Sequence, residues 1–570
     1  MTNKKMKFVQ ILFSSLVIAG VFGSDNEWWK HANIYEIYLR SFKDSDGDGI
    51  GDIKGLIFKL DYLVDIGVDT VYLTPFYPSS MADGGYDITD YKGIDSVYGT
   101  MQDFEELMKE MNAKGLHLVI DLVINHSSDE HEWFQKSINK IAPYSDYYIW
   151  ANPKGNDWNG KPIPPNNWFS LGSIHDSGSA WTWNENRKQF YLHQMITKQP
   201  DLNLRNEDVK AEIKNIMKFW LEKGVSGFRV DAPMMFMEDE QLRDNPTVPP
   251  DANMFTVFSF CEYTYNHPDT FRFIGELNVF LQQFDRKSRR KNQTVFIGET
   301  YGSMETVIKY YGTKRYPLFN LPLNYFSVEL LGRYLDAHQL HNNLQTWLDK
   351  VPKNMQSSWA LGNHDFGRVA HYFTSEYNSI LLALVTMLPG ASVIYYGEEL
   401  TMGANKLVPN NDPYMRSPFR SPMHWDDTRN SGFTSGGNAW LPVHPNYWHS
   451  NVQTQKTYEN SSLNYFKDLT SLRKTDTLKY GDLKFHIVSK WVMAYSRTYK
   501  GTSYIIVMNL GTETQPIDLY DVVNNISTIL TVVACSPNSG YKKGYEMKTT
   551  PNYPTASLLR PHSVVVLSSK

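Results

Sequence analysis

The feature that most constrains the fold is a repeated alternation of short apolar strands with amphipathic helical segments. "NIYEIYLRSF" at 33–42 is followed by "KGLIFKLDYLVDIG", whose apolar residues recur at helical spacing, and then by "DTVYLTP". The same order returns in "MQDFEELMKEMNAKG" with "LHLVIDLVINH", and in "VKAEIKNIMKFWLEKG" with "VSGFRVDA". Such alternation predicts a parallel sheet, and the number of repeats favours a closed (β/α)₈ TIM barrel over an open sheet.

Two regions interrupt this alternation. Residues 127–199 are rich in Trp, Asn, Pro and Gly, and this segment is too long for a simple loop, so it predicts a small domain inserted after the third strand. From about Lys479, alternating runs such as "TSYIIVMNL" and "SVVVLSS" predict a C-terminal antiparallel β-sandwich. The expected organisation is a barrel of residues 24–126 and 200–478, an inserted domain at 127–199 and a sandwich at 479–570.

The N-terminus has the pattern of a secretory signal. Three lysines between positions 4 and 7 precede the apolar run 8–22, and Val21 and Gly23 are small residues at the expected cleavage site. We therefore expect residues 1–23 to be a cleaved signal peptide and the protein to be secreted; an uncleaved membrane anchor is the alternative. No later run reaches the ~20 apolar residues that span a bilayer, so no stable membrane anchor is expected.

Other composition features narrow the classes of partner. The net charge of −5 is small, and the basic run at 286–291 is explained by a solvated helix end, so no nucleic-acid partner is expected. Sequons predict N-glycosylation at Asn292, Asn460 and Asn525. A long-range disulfide between the two cysteines, Cys261 and Cys535, is possible, but no sequence pattern supports it.

Polar residues cluster where the predicted strands end. In a (β/α)₈ barrel the C-terminal strand ends converge on one mouth, so side chains scattered along the sequence are expected to meet there. The residues concerned are Asn125 and His126 on the third strand, Arg229 and Asp231 on the fourth, Glu299 on the fifth, and His364 and Asp365 on the seventh.

The chemistry of these residues points to acetal cleavage. Arg229 and Asp231 are two apart in "GFRVDAP" and so share one strand face, although a purely structural ion pair is the alternative explanation. Three carboxylates at one mouth, Asp231, Glu299 and Asp365, match glycoside hydrolysis, which needs an acid for the departing oxygen and a carboxylate for the oxocarbenium-like carbon. This reaction needs no organic cofactor, and none is expected.

Five ordered blocks extend this hypothesis to a family. "DLVINH", "QPDLN", "GFRVDA", "FIGET" and "LGNHD" resemble the conserved blocks of glycoside hydrolase family 13, the α-amylase family. "QPDLN" resembles its oligo-1,6-glucosidase and α-glucosidase branch, and the chain as a whole is most similar to secreted insect maltases and sucrases. The resemblance implies a retaining exo-acting α-glucosidase that acts on small oligosaccharides or disaccharides such as maltose or sucrose, in an extracellular setting such as gut lumen or saliva.

The resemblance also implies roles for individual residues. Asp231 matches the nucleophile, and Arg229 would hold it ionised. Glu299 matches the general acid and base, which needs a raised pKa. His364 and Asp365 match the pair that binds the 2- and 3-hydroxyls of the glucosyl ring. The two carboxyls of a retaining pair are expected ~5 to 5.5 Å apart.

Further matches concern the shape of the glucose site. His126 matches a hydrogen-bond donor to the 6-hydroxyl. In "MADGGYD", Asp83 and Tyr86 match the aspartate and stacking tyrosine of exo-acting members, while Arg420 matches the arginine that pairs with that aspartate. An Asp83–Arg420 pair would close the far end of the site and leave a pocket for one terminal glucose.

A metal loop is also expected near the N-terminal strand. "DSDGDGIGD" puts Asp44, Asp46, Asp48, the Ile50 carbonyl and Asp52 at the oxygen spacing of an EF-hand-like Ca²⁺ site, with Gly49 at the sharp turn. Position 12 of that loop is Gly55, where an EF-hand has a bidentate glutamate, so a metal-free acidic turn is the alternative. Relatives in this branch carry a similar loop with structural Ca²⁺, which is the role expected here.

Several alternatives remain open at the level of sequence. Transporter heavy chains share this barrel as non-enzymatic subunits, but they carry a membrane span and the divergent members lose catalytic carboxylates. Within enzymes, maltase, sucrase, isomaltase (oligo-1,6-glucosidase) and transglucosylase share one glucosyl intermediate. Pro233 and Phe366 depart from the family pattern near the acceptor side, so they leave the linkage and the leaving group undecided.

Overall fold

The computed structural model describes residues 27–171, 178–248, 260–325, 334–409, 412, 414–520, 523, 526–549 and 557–569. The expected signal peptide and the Asn525 sequon lie outside the described residues. Asn292 and Asn460 are exposed, as glycosylation would require, but whether either is modified stays a prediction. Cys261 and Cys535 are not joined by a disulfide.

The described part of the chain contains the predicted barrel of eight parallel strands. The strands are β1 (Asn33–Ile37), β2 (Thr70–Leu73), β3 (His117–Leu122), β4 (Gly227–Val230), β5 (Val295–Gly298), β6 (Leu321–Pro322), β7 (Ser358–Leu361) and β8 (Ala391–Tyr395). Their spatial order is β6-β5-β4-β3-β2-β1-β8-β7, and neighbouring strands pair in parallel. The TIM-barrel prediction is confirmed.

The seam between β6 and β7 is closed by irregular hydrogen bonds. The Ala360 amide donates to the Asn324 carbonyl at 2.9 Å, and the Ser358 hydroxyl donates to the Pro322 carbonyl at 2.5 Å. These contacts satisfy backbone groups that would otherwise be left at two sheet edges. The strand ends therefore surround one mouth.

Helices form the outer layer of the barrel. The α-helices are Ile53–Phe58, Leu60–Asp65, Met101–Ala113, Glu132–Ile138, Glu207–Glu222, Pro268–Ser288, Met304–Lys309, Ala337–Lys350, Val369–Tyr372, Ser375–Met387, Val452–Thr457, Ser462–Arg473 and Asp476–Tyr480. Short 3₁₀ turns include Pro233–Met235 and Ser417–Phe419. None of the helices within the described ranges is long and apolar enough to cross a membrane.

The inserted and C-terminal parts are both antiparallel. In the insertion, Gln189–Leu192 pairs with Trp150–Ala151 and Trp181–Asn184, and Gly155–Asn156 forms a hairpin with Pro162–Ile163. The C-terminal sheet runs in the order Asp482–Ile487, Val492–Tyr499, Thr502–Asn509, Ser563–Ser569, Ile529–Cys535 and Glu546–Lys548, and Gln515–Ile517 pairs with Ser557–Leu559. The predicted fold class is confirmed, while its exact domain boundaries stay predictions.

Trp220 anchors the helix Glu207–Glu222 to the barrel. Its side chain is fully buried, lies edge-on to Phe76 and Phe104, and donates its indole N–H to the Tyr91 carbonyl at 2.9 Å. A large buried ring stabilises the fold through both its apolar area and its packing, and its removal leaves a cavity.

We expect Trp220→Ala to destabilise the protein by about 3–5 kcal/mol, because it removes the ring and opens a cavity. The measurement is the free energy of unfolding from denaturant titration. Trp448→Ala is the matched control, since Trp448 is 58% exposed, and it should stay within about 0.5 kcal/mol of wild type. Equal effects of the two substitutions would contradict this packing.

Candidate active site

The end of β4 places the central arginine and aspartate. Arg229 lies within the strand and Asp231 directly follows it, so their side chains share one face. The next residue, Ala232, has left-handed backbone angles (φ 42°, ψ 44°), and Pro233 starts the 3₁₀ turn Pro233–Met235. Proline suits a first helical position, where its missing N–H is not needed. The chain thus turns sharply at the barrel mouth.

The Arg229 guanidinium holds three carboxylates together. Its Nη1 lies 2.8 Å from Asp231 Oδ1 and 3.0 Å from Asp121 Oδ1, and its Nη2 lies 2.5 Å from Glu299 Oε1. Arg229 is 1% exposed, Asp231 6% and Glu299 5%. Charge-assisted bonds of this kind are strong in a low-dielectric site. The predicted nucleophile and general acid therefore meet on one buried cation.

Glu299 has two further partners. Its Oε2 accepts the Ala232 amide at 2.9 Å, and its Oε1 accepts the Tyr301 hydroxyl at 2.8 Å. The Ala232 contact depends on the left-handed turn after β4. The carboxyl of Glu299 is consequently fixed in orientation by β4, β5 and the residues just beyond them.

Burial raises the pKa of both Asp231 and Glu299. The pKa of Asp231 is raised by burial and by the charge of Glu299, while Arg229 opposes the rise. The pKa of Glu299 is raised by burial, with Arg229 opposing and Asp365 adding to the rise. Two coupled carboxyls of this kind favour a state in which the pair holds a proton. This matches the raised pKa that a general acid at Glu299 requires.

The pKa of Asp365 is shifted in the opposite direction, downward. Burial disfavours its ionised form, but His364, Arg416, Arg420 and Arg229 together hold the pKa of Asp365 well below its usual range. Its carboxylate contacts His364 Nε2 at 3.1 Å and Arg420 Nη2 at 2.9 Å. Asp365 is therefore a fixed negative charge beside two carboxyls whose pKa values are raised.

The predicted partner of Asp83 is wrong. Arg416, and not Arg420, forms the ion pair with Asp83, while Arg420 contacts Asp365 and Asp412. The two arginines flank the turn Ser417–Phe419, so both guanidiniums reach the same group of carboxylates. The sequence alone did not show which arginine pairs with Asp83, because the two arginines are four positions apart and flank the same turn.

The other predicted sugar contacts also lie at the mouth. Tyr86 stacks on His364 with ring centroids 5.4 Å apart, and its hydroxyl lies 2.6 Å from His364 Nε2. Gln199 Nε2 bridges Asp83 Oδ2 at 2.9 Å and His126 Nε2 at 3.1 Å. Burial lowers the pKa of His126 to about 4, so its imidazole is neutral near pH 7. A neutral imidazole can accept the Gln199 amide hydrogen at Nε2, which a protonated ring cannot do.

The acidic loop brings together three of its predicted ligands. Carboxylate oxygens of Asp44, Asp46 and Asp48 lie within 4.8 Å of one another. Asp52 does not join them, since it caps the helix Ile53–Phe58 through Gly55 and also accepts from Ser45. Gly49 has φ +94°, and a Cβ there would lie 2.3 Å from the Asn438 carbonyl oxygen. Hard oxygen donors in this arrangement fit Ca²⁺.

The family model described as alpha amylase, catalytic domain, matches residues 36–481. This chain belongs to the alpha-amylase family and is a glycoside hydrolase. The salivary alpha-glucosidase of Aedes aegypti is 36% identical over 93% of each chain, and an amino acid transporter heavy chain of Rattus norvegicus is 35% identical over 92% of this chain and 76% of its own length. The crystal structure of the alpha-glucosyl transfer enzyme XgtA superposes with a TM-score of 0.80 at 30% identity, over 95% of this chain and all of that one.

Sequence reasoning missed several side chains at the site of this hydrolase. Each is a charged or polar residue that the structure buries against a predicted one. They are Glu36, Asp121, Gln199, Tyr301, Asp412 and Arg416. Glu36 Oε1 lies 2.7 Å from His364 Nδ1. Glu36 and Asp121 had a usable signal, since each is an acid inside an apolar strand, where an unpaired charge is costly.

A double-mutant cycle tests the corrected ion pair of the enzyme. We expect Arg416→Leu and Asp83→Asn to be coupled by about 1–3 kcal/mol in unfolding free energy, because their side chains are in direct contact. Arg420→Leu with Asp83→Asn is the comparison and should show a smaller coupling, because Arg420 acts on Asp83 through its charge without a direct ion pair. A larger coupling for Arg420 would restore the original assignment.

The pH dependence of Arg416→Leu gives a second readout. Burial raises the pKa of Asp83 and Arg416 opposes that rise, so removal of Arg416 raises this pKa further. A carboxyl whose folded pKa exceeds its unfolded value binds more protons in the folded state, and stability then falls as pH rises. Arg416→Leu should therefore lose more stability at about pH 8 than at about pH 5, relative to wild type. A pH-independent loss would contradict this.

Proposed function

We propose that this glycoside hydrolase is a retaining, exo-acting α-glucosidase. It releases terminal α-glucose from maltose, sucrose or short α-glucosides through a covalent glucosyl-Asp231 intermediate. The observation that carries the proposal is the pair of buried carboxyls, Asp231 and Glu299, held by one guanidinium, with the pKa of Glu299 raised as a proton donor requires. Arg229 opposes the rise that burial and the charge of Glu299 cause in the pKa of Asp231. That pairing supplies a nucleophile and a proton donor to the same bond.

The reaction proceeds in two displacements. Asp231 attacks the anomeric carbon while Glu299 gives its proton to the departing glycosidic oxygen, and the bond to the leaving group breaks. Water then attacks the glucosyl ester, gives a proton to Glu299 and releases Asp231, with retention of the α configuration. Acceptor sugars can replace water in the second step, which yields transglucosylation.

A single-glucose pocket is supported by the Asp83–Arg416 pair. These oppositely charged residues join the loop after β2 to the start of the turn Ser417–Phe419. Gln199 contacts Asp83 and His126 beside this pair. Tyr86 and His364 provide a stacking surface for the sugar ring. Asp365 and His364 provide hydrogen-bonding groups for the sugar hydroxyls. A chain that continued past this pair would meet buried charge, which favours attack at the terminal glucose.

Phe366 and Pro233, which depart from the family pattern, lie close to partners of Glu299. The Phe366 ring lies 4.6 Å from the Tyr301 ring, and Tyr301 contacts the proposed proton donor Glu299. Pro233 is buried next to Ala232, which donates to the same carboxyl. These contacts support the proposal that Phe366 and Pro233 act on the leaving group, and a fructosyl leaving group makes sucrose a candidate substrate beside maltose.

Two other functions stay as alternatives. The similarity to an amino acid transporter heavy chain supports a non-enzymatic subunit, but the buried Asp231 and Glu299 carboxyls and the ionised Asp365 beside them favour catalysis. An oligo-1,6-glucosidase would use the same intermediate with another linkage. The salivary alpha-glucosidase relative supports secretion, as the lysine-led apolar N-terminus also does.

We also propose a structural Ca²⁺ at Asp44, Asp46 and Asp48, with the Ile50 carbonyl as a further ligand. Bound there, the ion would neutralise adjacent carboxylates and stiffen the loop after β1, and it would take no part in bond cleavage. Asp52 is left to cap its helix.

The nucleophile assignment predicts the effect of one substitution. Asp231→Asn should lower kcat on maltose by about 10⁴-fold or more, because an amide cannot form the glucosyl ester. The melting temperature should change little, since the side chain keeps its shape. Asp61→Asn, at an exposed acid paired with Lys114, is the control and should keep full activity. Undiminished turnover by Asp231→Asn would refute the assignment.

The substrate is tested by offering maltose, sucrose, isomaltose and starch to the purified protein and following glucose and new oligosaccharides. We expect glucose with initial α configuration from maltose or sucrose. Internal cleavage of starch would contradict the pocket, isomaltose as the best substrate would favour the 1,6 alternative, and no product from any of the four would favour the transporter-like subunit.

Calcium binding predicts a stability change. Excess Ca²⁺ at about 100 times its Kd should stabilise chelator-treated protein by about 2.7 kcal/mol, and Asp46→Asn should reduce this gain. Asp61→Asn should retain the full gain. An unchanged unfolding midpoint on adding Ca²⁺ would disprove the site.

A further inference from the structure

The residue that lies beyond the proposed catalytic set is Tyr301, two positions after Glu299. Its hydroxyl donates to Glu299 Oε1 at 2.8 Å and accepts from Asn363 Nδ2 at 3.0 Å. Its ring stacks on Tyr325 with centroids 4.8 Å apart, and it also meets Phe366. The ring is thus packed on two sides while the hydroxyl is aimed at the carboxyl.

The partners of Glu299 differ in which protonation state of its carboxyl they can hydrogen-bond. Arg229 and the Ala232 amide can only donate hydrogen bonds, so both favour an ionised carboxylate. A hydroxyl can donate to a carboxylate or accept from a carboxylic acid. Among the described residues that contact this carboxyl, Tyr301 is the one whose hydrogen bond can survive in both states.

Both states of Glu299 occur in the proposed reaction. The side chain is protonated before the leaving group departs, ionised in the glucosyl-enzyme, and protonated again after water attack. Burial and the charge of Glu299 raise the pKa of Tyr301, so the phenol remains protonated throughout. Its O–H can therefore stabilise the carboxylate at the moment the proton leaves.

We propose that Tyr301 is a positioning residue that sets the proton affinity of Glu299 and stabilises its carboxylate as the proton is transferred. Asn363 assists by donating to the phenolic oxygen, which directs the Tyr301 proton toward Glu299. Asn363 is itself fixed, since its Oδ1 accepts the Asp365 and Phe366 amides at 3.0 and 2.7 Å. This inference rests on the proposed glycosidase function and concerns the same site.

The test is Tyr301→Phe, which keeps the ring and removes only the hydroxyl. Loss of a donor to the carboxylate raises the pKa of Glu299, so the alkaline limb of kcat/KM for maltose should move up by about one pH unit. At its optimum, kcat/KM for maltose should fall about 10-fold. For α-glucosyl fluoride, whose leaving group needs little protonation, the fall should be below about 3-fold.

Tyr311→Phe is the matched control, because Tyr311 is a buried tyrosine whose hydroxyl donates to the Gln356 carbonyl at 3.0 Å, away from Glu299. It should change stability by a similar amount without moving the pH profile. In a Glu299→Gln background, Tyr301→Phe should alter the rate on α-glucosyl fluoride less than about 2-fold, because no proton transfer remains to be assisted.

A second variant covers the case in which Tyr301→Phe does not fold. Asn363→Asp preserves the Oδ1 acceptor and turns the Tyr301 proton toward itself, so the alkaline limb should again move up. An unmoved limb in either folded variant, with wild type active on maltose, would overturn the inference. A wild-type protein with no activity on any α-glucoside would instead overturn the proposed function.

Discussion

The site depends on one buried guanidinium that serves three acids. Arg229 contacts Asp121, Asp231 and Glu299, and each of the four groups is almost fully removed from water. One cation cannot neutralise three buried carboxylates, so full ionisation is costly and the pKa values of Asp231 and Glu299 rise. The arginine therefore does more than pair with its neighbour on β4. It fixes the geometry of the carboxyls, and the excess of acids supplies the proton that the proposed chemistry requires.

A second charged group determines the shape of the pocket. Arg416 and Arg420 face Asp83, Asp365 and Asp412, and the two arginines hold Asp365 ionised. In this group burial still raises the pKa of Asp83, but the arginines lower the pKa of Asp365 and Asp412, whereas the single guanidinium of the first group does not offset the burial of Asp231 and Glu299. A titrating pair and a permanent anion can in this way lie side by side at one barrel mouth.

Much of this arrangement was accessible from sequence. The alternation of strands and helices predicted the barrel, and polar residues at strand ends predicted that Asp231, Glu299 and Asp365 would converge. The spacing of Arg229 and Asp231 predicted a shared face, because side chains two apart in a strand point the same way. The loop at 44–52 predicted converging carboxylates, which holds for Asp44, Asp46 and Asp48 but not for Asp52, which caps the helix Ile53–Phe58.

By itself the sequence determined the fold class, the strand that carries each acid, and the face on which Arg229 and Asp231 lie, because these follow from local periodicity. Only the tertiary structure decided which arginine meets Asp83, that Asp121 and Glu36 support the site from neighbouring strands, and that Asn363 contacts the hydroxyl which Tyr301 directs at Glu299. Apart from Tyr301 and Glu299, which are two positions apart, these contacts join residues tens to hundreds of positions apart. Their partners are set by barrel closure and turn geometry, which no local pattern records.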